Sequence, residues 1–237
     1  MSTVRKQKTF SGEEADKILG FINDGYSDYL AARVLLNSNL LSQGAVLAAS
    51  SLEKYLKVIL GLHGNRSHGH LKKAHWNALK DHSPGMYRKI DEEFMRLCQK
   101  CYKLRYQEDL ELGFNLVIPQ WDFLAELDKT VSLIESSIDF FSDGEKHIRG
   151  YLNAKEKNDP RLLNYNHVLL NFPIQRLHEE QPQRVYEMRN CVLKKGILEI
   201  KYVSGGETLR KGFMREGAKT KDGKTYQCAF SYEPRND

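Results

Sequence analysis

Two consecutive amphipathic segments near the N-terminus constrain the fold of this chain more than any other feature. The first carries Tyr26, Tyr29 and Leu30 at helical spacing. The second begins its apolar stripe with small alanines, which let a partner helix approach closely. Because the turn between them is short, the sequence predicts two antiparallel neighbouring helices, over about 12–37 and about 44–63.

Helical periodicity continues as far as residue 141. One short helix is predicted after Leu71, another behind Pro84 up to about residue 104, and a third from Pro119 to the Asp-Gly pair at 143–144. The third has the most regular core-facing stripe, formed by Leu124, Leu127, Val131, Ile134, Ile138 and Phe141. Residues 1–146 are therefore predicted to form an all-α, up-and-down antiparallel helical bundle.

The pattern changes after this bundle. Residues 145–183 mix short helical pieces with prolines, which predicts a linker with local structure. Alternating apolar and polar residues over 185–193, 197–203 and 224–232, separated by glycine-containing turns, predict a small antiparallel β meander. The sequence thus predicts an α+β chain, with the bundle followed by a linker and a basic β-rich appendage at 147–237.

The net charge of +5 is unevenly distributed along the chain. Residues 147–237 contain 17 Lys and Arg against 11 Asp and Glu, whereas the rest of the chain carries one more acidic than basic residue. A basic appendage favours a polyanionic partner such as RNA. A solvated basic surface explains the same excess equally well.

The composition excludes several classes of protein. No apolar run approaches the length that spans a bilayer, and the N-terminus lacks the apolar stretch of a secretory signal. Four cysteines in 237 residues do not make a disulfide framework. We therefore expect a cytoplasmic protein that has no membrane partner.

The chain resembles a HEPN domain over roughly residues 25–142. The resemblance rests on the order and spacing of five segments, namely Tyr29-x3-Arg33-Val-Leu-Leu, Ala49-Ser-Ser-Leu-Glu53-Lys54-Tyr-Leu-Lys57, His63-Gly64, His70-Leu71 and Arg105-Tyr106. HEPN domains are all-α bundles that usually dimerise, and many act beside nucleotidyltransferases of the minimal type. The resemblance therefore implies a homodimer and a nucleotidyltransferase partner protein.

The nuclease branch of the HEPN family carries an Arg followed after four to six residues by a His, and this pair cleaves RNA without a metal. Arg105 occupies the place of that Arg, but positions 110–112, where the His would stand, hold Leu, Glu and Leu. Arg161 and His167 have the right spacing but lie outside the matched bundle, and about one such match is expected by chance. The resemblance therefore implies a protein without this catalytic pair.

Candidate ligand-binding residues in the matched segments are basic or aromatic; they are Arg33, Lys57, His70, Arg105 and Tyr106. In the functional interpretation they converge on a phosphate-bearing ligand at one end of the bundle. In the structural interpretation, which we favour, Arg33 and Glu53 form an ion pair between the first two helices. Lys57 then pairs with Glu53 one helical turn away.

Histidines and cysteines raise the question of a metal site. Five histidines fall between residues 63 and 82, and Cys98 and Cys101 are three residues apart. Convergent histidines can bind a metal ion, but a polar loop with helix-capping histidines is the commoner explanation. A zinc ribbon needs a second cysteine pair, so we expect Cys101 to pack in the core instead. No metal and no cofactor is predicted.

Basic residues of the appendage are interleaved with aromatic ones. The basic candidates are Lys194, Lys201, Arg210, Lys211 and Arg215. Cations that follow a phosphate backbone, with aromatic rings that stack on bases, suit single-stranded nucleic acid. A β-module that docks a protein or covers the bundle is equally compatible with this composition.

Three hypotheses of function follow from the sequence. The first is a non-catalytic HEPN-type protein that binds a nucleotide, a nucleic acid or a partner protein. The second is a metal-independent RNase that uses Arg105 with a His from elsewhere, such as His70. The third is a purely structural dimerisation module.

Overall fold

The computed structural model describes residues 9–64, 71, 73–142, 145–146, 149–191 and 196–204. Its helices are α1 (Gly12–Asn37), α2 (Leu41–Leu62), α3 (Lys73–His82), α4 (Pro84–Tyr87), α5 (Glu92–Tyr102), α6 (Gln120–Ser137), α7 (Gly150–Glu156), α8 (Pro160–Leu163) and α9 (Ile174–Glu180). Its strands are β1 (Asn115–Pro119), β2 (Phe141–Ser142), β3 (Glu145–Lys146), β4 (Gln183–Cys191) and β5 (Gly196–Ser204). Two 3-10 turns, Lys103–Arg105 and Gln107–Asp109, follow α5.

Helices α1 and α2 are the neighbouring pair that the sequence predicts. A capping box starts α1, because Glu14 N donates to the Ser11 hydroxyl (3.4 Å) and Ser11 N donates to the Glu14 carboxylate (3.2 Å). The turn between the helices includes Asn39 in the left-handed region, at a φ of 64°. The bounds of α1 agree with the prediction, whereas α2 starts earlier than predicted, at Leu41.

The helix predicted behind Pro84 is divided into two. Helix α4 ends at Tyr87, and α5 starts only at Glu92. The Asp91 carboxylate caps α5 by accepting from Phe94 N (2.9 Å). The apolar spacing alone predicted one continuous helix, but a second helix starts at Glu92.

Helix α6 ends earlier than the predicted stop at 143–144. It finishes at Ser137, and Ile138 is already extended. Arg149 Nη2 donates to the carbonyl oxygens of Glu135 and Ile138 (both 2.8 Å). A distant side chain thus satisfies carbonyl groups at the C-terminal end of the helix, which the sequence pattern could not predict.

The three-stranded sheet is antiparallel and has the order β1-β4-β5. Strands β4 and β5 form the predicted hairpin, but the third described strand is β1, which precedes α6. Its register runs from Asn115 opposite Arg189 to Pro119 opposite Val185. Strand β1 was not predicted, because most of its residues are buried on both faces and it therefore lacks the alternation of a half-buried strand. The strand predicted at 224–232 lies outside the described residues.

The chain is α+β, as predicted, with a helical bundle followed by an antiparallel sheet. One hydrophobic core cluster takes side chains from both sides of residue 146. Its members beyond that residue include Tyr151, Leu162, Leu177, Tyr186 and Met188. The helices α7 to α9 and the sheet thus contribute to the same core as the bundle. The division into two domains at residue 146 stays a prediction.

Two expectations from composition concern membranes and cysteines. None of the helices in the described ranges combines the length and apolarity that a bilayer crossing needs. Cys98 and Cys101 are buried free thiols of α5, which confirms the core packing predicted for Cys101. Burial raises the pKa of both thiols, so neither is a reactive thiolate at neutral pH.

The close approach of α1 and α2 gives a testable prediction at Gly44. A methyl group added there would lie 2.7 Å from Leu36 Cγ and 3.1 Å from the Leu36 backbone nitrogen. We expect Gly44→Ala to lower the free energy of unfolding by about 1–3 kcal/mol, the usual result of overpacking. The measurement is urea unfolding followed by far-UV circular dichroism. Gly20→Ala is the matched control, because it lies in α1 with open space around it and should raise stability by about 0.5–1 kcal/mol.

Candidate functional site

Arg33 is completely buried, and its described contacts all lie inside the protein. Its guanidinium forms an ion pair with Asp128 of α6, which is also buried. Arg33 Nε donates to the Arg161 carbonyl oxygen (3.1 Å), and Nη2 donates to the Asn164 carbonyl oxygen. The Tyr29 hydroxyl donates to the other oxygen of Asp128 (2.8 Å). These additional hydrogen bonds offset the desolvation that a buried ion pair suffers.

Burial also determines the direction of the pKa shifts of Asp128 and Tyr29. It raises the pKa of Asp128, while the Arg33 guanidinium and the hydrogen bond from Tyr29 act in the opposite direction. Burial raises the pKa of Tyr29 well above its ordinary value, and the Asp128 carboxylate adds to that shift. The Tyr29 hydroxyl therefore keeps its proton and remains a hydrogen-bond donor.

Two predictions about Arg33 need correction. We expected an ion pair with Glu53, but the partner is Asp128 of α6. We also considered a ligand contact, yet the Arg33 side chain has an exposed fraction of 0%. A phosphate could reach this guanidinium only after the contacts with Asp128 and with the carbonyl groups of residues 161 and 164 were broken.

A second buried ion pair lies further along α6. Arg149 pairs with Glu135, and the Tyr55 hydroxyl of α2 donates to the same carboxylate (2.6 Å). Burial raises the pKa of Glu135, whereas Arg149 and Tyr55 lower it. The sequence spacing could have predicted that both acids face the core. Asp128 and Glu135 are seven residues apart on one face of α6, and each lies four residues after a core residue.

An exposed arginine and an exposed tyrosine, Arg105 and Tyr106, lie just behind the end of α5. Arg105 Nη1 donates to the Tyr102 hydroxyl (2.8 Å). The guanidinium carbon lies 5.2 Å from the centre of the Tyr102 ring and 5.7 Å from that of Tyr106, which is cation–π distance for both rings. Arg105 itself is exposed, and the exposed fraction of Tyr106 is 48%. The structure thus presents a cation and an aromatic ring together at the surface.

Residues of α2 lie beside this end of α5. Lys57 Nζ donates to Glu53 (2.7 Å), which confirms the predicted pairing, and Leu71 N donates to the other Glu53 oxygen (2.8 Å). The pKa of Tyr102 is raised mainly by burial; Arg105 lowers it, and the nearby Glu53 carboxylate raises it. Glu53 is thus the residue of this α2 pair that lies near Tyr102, whereas the Lys57 ammonium lies 5.6 Å from the centre of the Phe21 ring of α1. We call Tyr102, Arg105 and Tyr106 the Arg105 cluster.

The Arg105 cluster contains two of the five predicted ligand-binding residues, Arg105 and Tyr106. Lys57 pairs with Glu53 on α2, Arg33 lies in the core, and His70 lies outside the described residues. Tyr102 was not predicted, because its helical position before the 3-10 turn gives no sign that it supports Arg105. The predicted role of these residues in ligand binding stays a prediction.

The surroundings of the Arg105 cluster are acidic. Glu108 and Asp109 are exposed, and Glu111 accepts from Lys103 Nζ (3.0 Å). Leu110 is buried, while Leu112 is exposed. The place at which the nuclease branch would carry its His is thus occupied by one core residue, one surface acid and one exposed apolar residue.

The second Arg–His spacing noted in the sequence gives two side chains with separate partners. Arg161 Nε and Nη2 donate to the Asp159 carboxylate, the shorter contact being 2.7 Å. His167 Nε2 lies 3.4 Å from the Ala125 carbonyl oxygen of α6. The hydrogen bonds of Arg161 therefore stabilise the start of α8, whereas His167 contacts α6.

The five clustered histidines are only partly described. His68 and His70 lie outside the described residues, and His75 is buried. His63 and His82 stack with ring centres 4.9 Å apart, at the ends of α2 and α3. Within the described ranges, no three His, Cys, Asp or Glu side chains are grouped so that they could hold a metal ion.

Most of the predicted nucleic-acid-binding residues of the appendage cannot be placed. Lys194, Arg210, Lys211 and Arg215 lie outside the described residues. Lys201 is described; it is exposed on β5, opposite Tyr186 of β4.

Comparison with known proteins identified no relative of this chain. No family model, no curated protein and no solved structure matches the chain. The HEPN resemblance therefore rests on the sequence segments alone and stays a prediction.

The buried Arg33–Asp128 pair gives the second testable prediction. Asp128→Asn keeps the shape of the side chain but leaves Arg33 as a buried charge without its counter-ion. We expect the free energy of unfolding to fall by about 3–5 kcal/mol, measured by urea unfolding. Glu126→Gln on the same helix is the control: it alters only a surface contact with Lys129, so a change below about 0.5–1 kcal/mol is expected. Similar losses in the two variants would contradict a special role for the buried pair.

Proposed function

We propose that this chain is a non-catalytic HEPN-type protein that binds a nucleotide through the Arg105 cluster. The observation that carries this proposal is the contact of one exposed guanidinium with two tyrosine rings, one of which is itself exposed. Tyr102 holds Arg105 by a hydrogen bond and by its ring, so less side-chain entropy is lost when a ligand binds. Tyr106 adds an exposed aromatic face beside the charge.

Each part of a nucleotide has a partner in this arrangement. A guanidinium has five N–H donors and matches the oxygens of a phosphate group, with which it forms charge-assisted hydrogen bonds. Stacking of a base on an exposed aromatic ring adds further affinity without requiring a particular base.

The acidic surroundings favour a short ligand over a long strand. A polynucleotide would carry its next phosphates past the exposed Glu108, Asp109 and Glu111, where like charges repel. Proteins that bind long strands instead use continuous basic grooves. We therefore propose a mononucleotide or dinucleotide, or the free end of an RNA chain, as the ligand.

The non-catalytic part of the proposal follows from residues 110–112, which supply no histidine to Arg105. The resemblance to HEPN domains extends the proposal to a homodimer and to a nucleotidyltransferase partner.

The buried free thiols of α5 are compatible with a reducing cytoplasm, which we propose as the location.

The third testable prediction concerns nucleotide affinity. In calorimetric titrations with AMP, ADP, GMP and UMP, we expect binding by the unmodified protein and at least a tenfold loss of affinity for Arg105→Ala, since hydrogen bonds to charged groups contribute about 1.5–3 kcal/mol. Tyr106→Ala should lose a similar amount through stacking. Arg96→Ala is the matched control, because Arg96 is an exposed arginine of α5 that pairs with Glu92, outside the cluster.

Two results would contradict nucleotide binding. One is that titration with each of the four nucleotides gives no measurable heat of binding. The other is that Arg105→Ala and Arg96→Ala bind the nucleotides with equal affinity. A uridine decamer that bound far more tightly than UMP would show that the ligand is a strand rather than a nucleotide.

The fourth testable prediction separates a binding protein from an RNase. RNA incubated with the pure protein and EDTA should remain intact on a denaturing gel. Cleavage that Arg105→Ala abolishes and Arg96→Ala leaves unchanged would instead establish a metal-independent RNase. If the protein showed neither nucleotide binding nor cleavage, the structural dimerisation module would remain as the function.

A further inference from the structure

Strand β5 presents charged and apolar side chains in alternation. In the part of the chain that the structure describes, β4 pairs with one edge of β5, and no strand is described at the other. Ile197, Glu199, Lys201 and Val203 share one face of the strand, and all four are exposed. The exposed fractions of Ile197 and Val203 are 40% and 52%, which is high for large apolar side chains in a sheet.

The order of these residues is symmetric about Ile200. If β5 met an identical strand antiparallel with Ile200 at the centre, Glu199 would face Lys201 of the second copy, and Lys201 would face Glu199. Ile197 would face Val203 at both ends of the contact. Opposite charges and apolar residues placed directly across an antiparallel pair stabilise it. One register therefore places opposite charges across from each other and, at the same time, exposed apolar groups across from each other.

We propose that β5 forms an isologous dimer interface in which two copies of the strand pair antiparallel about Ile200. A two-fold axis through that position generates each favourable contact twice. The two three-stranded sheets then form one six-stranded sheet with the order β1-β4-β5-β5-β4-β1. Pairing also covers an edge that would otherwise promote uncontrolled association.

This interface does not depend on the proposed nucleotide site. Strand β5 lies outside residues 25–142, on which the HEPN resemblance rests, whereas the Arg105 cluster lies at the end of α5 and the 3-10 turn behind it. Loss of nucleotide binding and loss of the β5 dimer would therefore be observed in different variants. The proposal names a second copy of this chain as the partner and β5 as its contact surface.

Charge reversal tests the proposed register. Lys201→Glu sets carboxylates opposite each other at both symmetric contacts, and Glu199→Lys does the same with ammonium groups. In sedimentation equilibrium we expect the unmodified protein to dimerise, and each single variant to raise the dimer dissociation constant at least about tenfold. The double variant Glu199→Lys/Lys201→Glu should recover the dimer. An equimolar mixture of the two single variants should form a heterodimer, because each then faces its opposite charge.

Two controls separate this effect from local damage. Lys17→Glu makes the same charge change at an exposed residue of α1 and should leave the dimer unchanged. Tyr186→Phe removes the hydrogen bond from the Tyr186 hydroxyl to Glu199 (2.8 Å) but keeps the charges, so the dimer should persist.

Three outcomes would overturn the proposal. A monomer at every concentration would show that β5 does not pair with a second copy of the chain. A dimer that both single reversals leave unchanged would use another surface. Failure of the two single variants to associate when mixed, with both folded by circular dichroism, would exclude the register about Ile200.

Discussion

The buried ion pair between Arg33 and Asp128 determines how the rest of this structure can be arranged. An ion pair buried away from solvent is stable only if the remaining hydrogen-bond donors and acceptors of both side chains also have partners. Tyr29 supplies one partner from α1, and the carbonyl groups of Arg161 and Asn164 supply two more. The segment around α8 must therefore lie against α1 and α6, which makes residues far along the chain part of the bundle.

The pair of Arg149 and Glu135 extends the same constraint along α6. It joins Tyr55 of α2 to the residue just before α7, and it also satisfies carbonyl groups at the C-terminal end of α6. Networks of this kind specify one arrangement, because any other packing leaves a buried charge alone. Arg33 and Arg149 lie in the core, whereas in the Arg105 cluster an arginine and tyrosine rings meet at the surface.

The candidate site could be predicted in part. Arg105 and Tyr106 were identified from the sequence and lie in one cluster, because they are adjacent in the chain just behind α5. Arg33 was assigned to the same group wrongly, since a helical stripe shows which face a residue occupies but not which helix covers it. Tyr102 was missed for the converse reason: its contact with Arg105 depends on the 3-10 turn that follows α5.

The sequence by itself determined the elements whose signals are local. Apolar residues at helical spacing predicted α1 and α2, and alternation predicted β4 and β5. Only the tertiary structure decided that β1 joins β4, that Asp91 starts a new helix, and that Arg33 pairs with Asp128. The physical reason is that periodicity records whether a residue faces the core, whereas strand partners and buried charge pairs depend on residues distant in the chain, which meet only when the whole core forms.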